Sequence, residues 1–346
     1  MSEISKIDKN FEIAKTETDS TTRFYDSLLP PFEIDGIFYE NGKFRRLPEA
    51  TARSVSGGLV FLHSNTAGGK IRFQTDSPYV VVNAKMLRVG KMSHFALCGS
   101  AGFDLYVKNE YVASALPPFD IQDGYQGKFN LGTAEMREIT IHFPLYSDVT
   151  ELSIGLEEHA TLLPPPRYAR ETPIVFYGSS ITQGGCASRP GNAYPAMVAR
   201  HFDSQHINLG FSGNAKGEVN MANHIASLSM SAFVLDYDHN APSTEHLRAT
   251  HEPFFKIIRK AHPTLPILIL SRPKFYPTEE ELERLAIVRK TYENALLSHD
   301  SNVYFISGKE LMQIAQNDGT VDGCHPNDLG FFSMAQAVIK VLQNVL

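Results

Sequence analysis

Up to about residue 160 the chain breaks into short runs, many of which alternate apolar and polar residues as half-buried strands do. The spacing predicts strands over Gly57–Ser64, Lys70–Thr75, Tyr79–Leu87, Phe103–Val107, Tyr111–Ala115, Glu138–Phe143 and Leu152–Leu156. Within Phe103-Asp104-Leu105-Tyr106-Val107 the Phe, Leu and Val share one face. Lys108-Asn109-Glu110 reads as a hairpin turn into Tyr111–Ala115. Short strands at such spacing fit an antiparallel sandwich.

The texture then changes. Leu162-Leu163-Pro164-Pro165-Pro166-Arg167 cannot join a helix or a central strand, because three prolines remove three donors. Beyond it, short and mostly apolar runs predict strands over Ile174–Tyr177, Ile207–Leu209, Ala232–Asp236, Ile267–Ser271 and Val303–Ile306. Helical stretches lie between them, such as Glu279–Leu297, which opens on Thr278 and Glu281 at capping-box spacing. Leu282, Leu285, Ala286 and Tyr292 are expected to supply much of its buried face. Strand–helix alternation predicts a parallel sheet covered on both sides. The expected organisation is a β-sandwich over residues 1–160, a proline-rich linker over 161–172 and a doubly wound α/β domain over 173–346. Roughly the first 25 residues read as an extension.

Composition narrows the classes. With 346 residues, two domains are the default. Apolar residues at 42% and charged residues at 20% exclude a disordered chain. The net charge of −6 and the absence of a Lys/Arg block argue against a nucleic-acid partner. No apolar run reaches the ~18–20 residues of a membrane helix. Met1–Asp26 is polar and lacks the apolar centre of a secretory signal. Cys98, Cys186 and Cys324 are too few and scattered for a disulfide framework or a zinc knuckle. The chain is expected to be cytoplasmic and reduced.

Ligands of open α/β sheets bind at the carboxyl ends of the strands. Those ends carry Gly178-Ser179-Ser180-Ile181-Thr182-Gln183-Gly184-Gly185, Gly210-Phe211-Ser212-Gly213-Asn214 and Asp236-Tyr237-Asp238-His239-Asn240. Near the C-terminus comes Asp322-Gly323-Cys324-His325-Pro326. Together these are the parts of an acyl-transfer site. A serine hydroxyl needs a histidine to take its proton, and that histidine needs a carboxylate to fix its tautomer. Asp322 and His325, three apart on a tight turn, can meet with little help from the rest of the fold. The oxyanion needs aimed donors, which the Ser180 N–H, the turn at Gly213 and the Asn240 amide can offer.

These residues resemble the SGNH (GDSL-type) hydrolases. Gly178-Ser179-Ser180-Ile181 is similar to the first block of that family, with Ser180 in the nucleophile position. Gly213 matches the second block, Asn240 the third and Asp322-x-x-His325 the fifth, in the right order from residue 172 to the C-terminus. Gly102-Phe103-Asp104-Leu105-Tyr106 resembles the signature of a β-sandwich domain that precedes a subset of these enzymes. The resemblance implies a flavodoxin-like doubly wound sheet, with Ser180, Asp322 and His325 catalytic and Ser180, Gly213 and Asn240 forming the oxyanion hole. Two positions depart from the pattern: Ser179 stands for the usual Asp, and Asp238-His239-Asn240-Ala241 for Gly-x-Asn-Asp. The second puts the way Asn240 is held in doubt.

Taken singly, each piece has a plainer reading. Ser179 or Ser180 serves as a helix cap, the glycines mark left-handed turns, and Asn240 is a loop residue bonding its own backbone. Cys324 reads as a small buried hydrophobe. Arg189 is a candidate substrate contact, with a structural role weighted equally; Tyr237 and Asp238 are further candidates for lining the pocket. Two other functions compete. An apolar strand ending in Asp236-Tyr237-Asp238 also fits a haloacid-dehalogenase-like phosphatase with magnesium, and a sandwich beside a decayed enzyme fits a non-catalytic carbohydrate-binding protein. The favoured expectation is a serine esterase that acts through an acyl-enzyme, without metal or organic cofactor, on a small-molecule ester. The loops carry no long apolar lid, which favours a small acyl group, and resemblance to carbohydrate deacetylases favours acetyl on a saccharide. Acyl transfer to another alcohol would use the same residues. The sandwich is expected to cover the site through Met92–Phe95, to drive homo-oligomerisation or to stabilise the fold.

Overall fold

The computed structural model describes residues 4–8 and 21–346. Of the expected N-terminal extension, residues 1–3 and 9–20 lie outside the described residues, while Thr22–Asp26 is an edge strand. It pairs antiparallel with Asp148–Glu157, which is followed in the same sheet by Tyr79–Arg88 and Gly124–Asn130. A second antiparallel sheet runs Leu162–Leu163, Lys70–Thr75, Arg137–His142, Phe103–Val107 and Glu110–Ala115, with Glu33–Asp35 also on Lys70–Thr75. The two sheets share one core. Val80, Val82, Ala84 and Met86 alternate inward from one, and Ile71, Phe73, Phe103, Leu105, Ile139 and Ile141 from the other.

The second sheet is buried on its other face too. Asp104 and Tyr106, which alternation alone would send to solvent, are covered by the α/β domain. Gly57–Ser64 is not a strand. Ser56 caps a helix over Gly57–Leu62 by accepting the Leu59 N–H, and Leu59 and Leu62, one turn apart, are its buried residues. A short apolar run carries no period of its own, and the cap decides it.

The α/β half contains five parallel strands: β1 (Arg170–Gly178), β2 (Ser204–Gly210), β3 (Ala232–Asp236), β4 (Ile267–Leu270) and β5 (Val303–Ile306). Their spatial order is β2-β1-β3-β4-β5, the flavodoxin-like arrangement. Alternate β1 side chains feed two cores: Val175 and Tyr177 enter one, Ile174 and Phe176 the other. Gly178 is in register with Gly210 of β2 and Asp236 of β3. Three strands therefore end level, and the loops that leave them open onto one edge.

The helix Glu279–Leu297 carries the expected capping box, with both hydrogen bonds between Thr278 and Glu281 in place. Its buried face is rotated from the expected one. Arg284, Val288, Thr291 and Ala295 are buried, whereas Leu282 and Ala286 are exposed and Leu285 and Tyr292 half-buried. The reason is Arg284, whose guanidinium donates to the carbonyls of Asp238 (2.9 Å) and Ala241 (3.0 Å) beneath the loop after β3. A satisfied buried cation occupies the place that hydrophobicity assigns to leucine. Among the described residues no helix is long and apolar enough to cross a membrane.

Candidate active site

The loop after β1 turns at once into the short helix Ser180–Gln183. Ser179 is the cap, its hydroxyl accepting the Ile181 N–H at 3.1 Å. That leaves Ser180 at the first helical position, where a backbone N–H has no partner within the helix. Gly184, at φ +102°, ends the helix after one turn, a conformation that favours glycine. The Ser180 carbonyl accepts from the N–H groups of Gly184 (3.1 Å) and Gly185 (2.8 Å).

At the far end of the chain, Asp322 builds its own turn. Its Oδ1 accepts the N–H groups of Cys324 (3.0 Å) and His325 (2.7 Å), and Gly323, which directly follows Asp322, supplies a φ of +82°. The turn leaves Oδ2 facing the imidazole, which donates from Nδ1 at 2.8 Å. On the other side His325 Nε2 lies 3.0 Å from Ser180 Oγ. Partial burial acts to raise the Asp322 carboxyl, but the hydrogen bonds from His325 and Cys324 outweigh it and hold the group well below the usual carboxylate range. It stays ionised, as fixing the imidazole requires.

Gly213 stands at φ +65° with open space where a Cβ would project. Ser212 is committed elsewhere, its N–H donating to Gln183 Oε1 at 3.1 Å. Asn240 donates from Nδ2 to the Phe211 carbonyl at 2.9 Å, so one of its two amide hydrogens is held and the second remains. The departure from Gly-x-Asn-Asp is compensated locally. Asp238 Oδ2 accepts the Arg272 N–H at 2.9 Å, and Arg284 clamps the carbonyls that flank Asn240. Burial keeps His239 neutral by lowering it to about 4, and its Nε2 is hydrogen-bonded to Cys324 Sγ at 3.1 Å. Cys324 is half-buried and ties the Asn240 loop to the Asp322 turn, rather than acting only as a small hydrophobe.

The structure buries or pairs elsewhere the three residues offered as substrate contacts. Tyr237 is buried and donates to Thr250 Oγ1 at 2.9 Å, packed against Tyr177 and Phe254. Asp238 is buried beneath Asn240. Arg189 reaches the sandwich, where it pairs with Asp104 and stacks over Tyr111. The phosphatase reading also fails on geometry. Asp236 Oδ2 is engaged by Thr182 Oγ1 (2.8 Å) and Tyr194 OH (3.2 Å). Burial, then Asp238, push its carboxyl up to about 8, so it is neither accessible nor ionised as a nucleophile must be.

Two segments of the sandwich reach this edge. Tyr146 donates its hydroxyl to the Ser180 carbonyl at 3.3 Å, and a Cβ on Gly185 would sit 3.0 Å from that hydroxyl and 3.5 Å from His325 Cδ2. Met92–Phe95, expected near the mouth, packs Phe95 edge-on against Tyr146 at 5.3 Å. A lone tyrosine after a strand carries no sequence signal for this role.

Residues 171–343 match the GDSL-like lipase/acylhydrolase family model, and residues 22–162 match the GxDLY model of the N-terminus of SGNH-hydrolase-type esterases. Among solved structures, a GDSL-like lipase from Bacteroides ovatus superposes with a TM-score of 0.84 at 28% identity, covering 94% of this chain and 98% of its own. A salicylyl-acyltransferase from a tetracycline biosynthetic pathway follows at 0.76 and 20% identity, covering 95% and 99%. An acetyl xylan esterase from Butyrivibrio proteoclasticus gives 0.56 at 13% identity over 94% and 98%. The last two share the fold. No curated protein matches the chain.

Proposed function

Because the chain belongs to the GDSL-like lipase/acylhydrolase family and is thereby a carboxylic ester hydrolase, we propose that it is a serine esterase that removes acetyl, or another small acyl group, from a hydroxylated substrate of the saccharide class. The observation that carries this reading is the unbroken path from Ser180 Oγ through His325 to Asp322, at 3.0 and 2.8 Å. Ser180 Oγ attacks the ester carbonyl as His325 Nε2 takes its proton. The Asp322 carboxylate holds Nδ1–H and steadies the imidazolium. The N–H groups of Ser180 and Gly213 and the second Asn240 amide hydrogen receive the oxyanion. His325 then protonates the leaving alcohol, and water repeats the steps in reverse to release the acid.

The low exposure of the nucleophile supports a small acyl group. Ser180 is 5% exposed, His325 Nε2 lies 3.0 Å from its Oγ, and the Tyr146 hydroxyl covers its carbonyl. Such a site suits two carbons better than a lipid chain. The shared fold with an acetyl xylan esterase supports the saccharide class.

The test is hydrolysis of p-nitrophenyl acetate and butyrate by the wild type and Ser180→Ala, with a fluorophosphonate label located by mass spectrometry. Acetate should be preferred, the label should sit on Ser180, and the variant should lose ~10³-fold or more in kcat. Turnover that survives the substitution defeats the reading.

A further inference from the structure

We propose that His94, Cys186 and His325 form a zinc-binding site, and that Zn²⁺ held there switches the enzyme off by capturing its base. The switching part rests on His325 acting as proposed above; the binding part does not. One ligand atom from each of the three residues lies within 4.8 Å of the other two. A tetrahedral zinc with bonds of about 2.0–2.3 Å spaces its ligands about 3.3–3.7 Å apart, within reach of small side-chain rotations. Two imidazoles and a thiolate suit zinc, whereas magnesium and calcium prefer oxygen.

The three residues come from separate parts of the fold, and each is held. His94 sits on the tight turn closed by the Met92–Phe95 bridge, and Phe95 is buried against Tyr146. This places the His94 ring 5.7 Å from the His325 ring, with Nε2 3.9 Å from Asp322 Oδ2. Cys186 follows the two glycines that close the nucleophile turn. It adopts φ +75°, an uncommon conformation for a residue with a side chain, and is buried there. Its thiol has no hydrogen-bond partner among the described residues. A left-handed, unpartnered cysteine whose sulfur lies within 4.8 Å of two imidazole nitrogens is unexplained by acyl transfer alone.

Asp322 already holds Nδ1 of His325, so Nε2 is the nitrogen left for an ion, and the carboxylate orients it as outer-shell partners of zinc-bound histidines do. Water, or Ser180 Oγ at 3.0 Å from Nε2, completes the tetrahedron. Binding exchanges the thiol proton for the ion, so one proton leaves to solvent per zinc bound and no electron moves. With Nε2 coordinated, Ser180 has no base.

The experiment uses the full chain, freed of metal with a chelator that is then removed and kept reduced by a phosphine. Calorimetry with Zn²⁺ should give one ion per chain with proton release, and saturating zinc should lower p-nitrophenyl acetate hydrolysis at least about tenfold, reversibly on adding EDTA. His94→Ala and Cys186→Ser should each weaken zinc binding at least about tenfold, as loss of even outer-shell partners does. Ser180→Ala should bind zinc although inactive, which separates the fate of the site from that of the esterase reading. Cobalt soaked into the wild type should show thiolate-to-metal absorption, a readout that needs no folded variant. Undiminished zinc affinity in both variants, or a cobalt complex without that absorption, overturns the proposal.

Discussion

Arg189 Nη1 lies 3.0 Å from Asp104 Oδ2, joining the loop that follows the nucleophile helix to the middle of the sandwich. Asp104 is fully buried and also accepts His142 Nδ1 (3.0 Å) and the Gly191 N–H (2.8 Å). Burial acts to raise its carboxyl, yet His142, Arg189 and Gly191 together hold it below the ordinary value. A depressed carboxylate stabilises the fold above its unfolded value near 3.8, and the contribution is lost as pH falls through the folded value. Asp104→Ala should therefore cost about 3–5 kcal/mol at neutral pH, because it strands a cation and a buried donor together. Urea unfolding measures this. A loss under about 1 kcal/mol would show that the pair does not clamp the two halves.

One amide hydrogen of Asn240 is spent on Phe211, and the other has no partner among the described residues. Asn240→Ala should lower kcat by about 10²–10³-fold with a much smaller change in KM, as removal of an oxyanion donor does. A variant with kcat intact removes Asn240 from the oxyanion hole and leaves it the loop residue it resembles when taken alone.

How much of this was readable beforehand depends on where each signal sits. Lys70–Thr75, Phe103–Val107, Ala232–Asp236 and Val303–Ile306 are strands at the expected bounds, because apolar runs and flanking turns are local. The strand Gly124–Asn130 escapes such a reading, since its polar and glycine residues conceal the inward Tyr125 and Phe129. The Asp322 turn is readable because its hydrogen bonds span two and three residues. Arg189 is not, because its partner is 85 positions away, and Tyr146 meets Ser180 across 34. Tertiary contacts of that separation leave no pattern in either segment alone. Arg284 misled for a related reason: the carbonyls it satisfies belong to a different loop.

Asp236 predicts a pH dependence of stability. Its folded value is up at about 8 against 3.8 for the free group, through burial first and Asp238 second. Between about pH 4 and pH 8 the folded protein keeps a proton that the unfolded chain has released, so stability falls as pH rises through that window. Asp238, up at about 6, adds a slope of the same sign at the acid end. Asp236→Asn can still accept from Thr182 and carries no ionisation, so it should flatten the profile and be the more stable protein at pH 8, by on the order of a few kcal/mol. Urea midpoints at pH 5 and pH 8 decide it, and equal slopes for the two proteins refute the assignment. Ester hydrolysis should persist in the variant, since Asp236 touches the helix behind Ser180 and not the ester.

Whether the sandwich takes part in the chemistry turns on Tyr146. Among the described residues, Tyr146 is the side chain from that half that hydrogen-bonds the nucleophile residue itself, donating to the Ser180 carbonyl at 3.3 Å. Burial pushes its phenol well above the usual range, so it remains a donor at any working pH. Tyr146→Phe keeps the ring that Phe95 packs against and deletes one oxygen. The carbonyl keeps two other donors, from Gly184 and Gly185, so the fold should lose no more than about 1 kcal/mol. The hydroxyl also occupies the space beside Gly185 that borders His325. Its removal lets water into that corner and loosens the turn on which Ser180 sits. We expect kcat to fall about three- to tenfold with the melting temperature nearly unchanged, the size of one positioning hydrogen bond. If kcat holds and only stability drops, the sandwich supports the hydrolase from outside, and its tyrosine is packing.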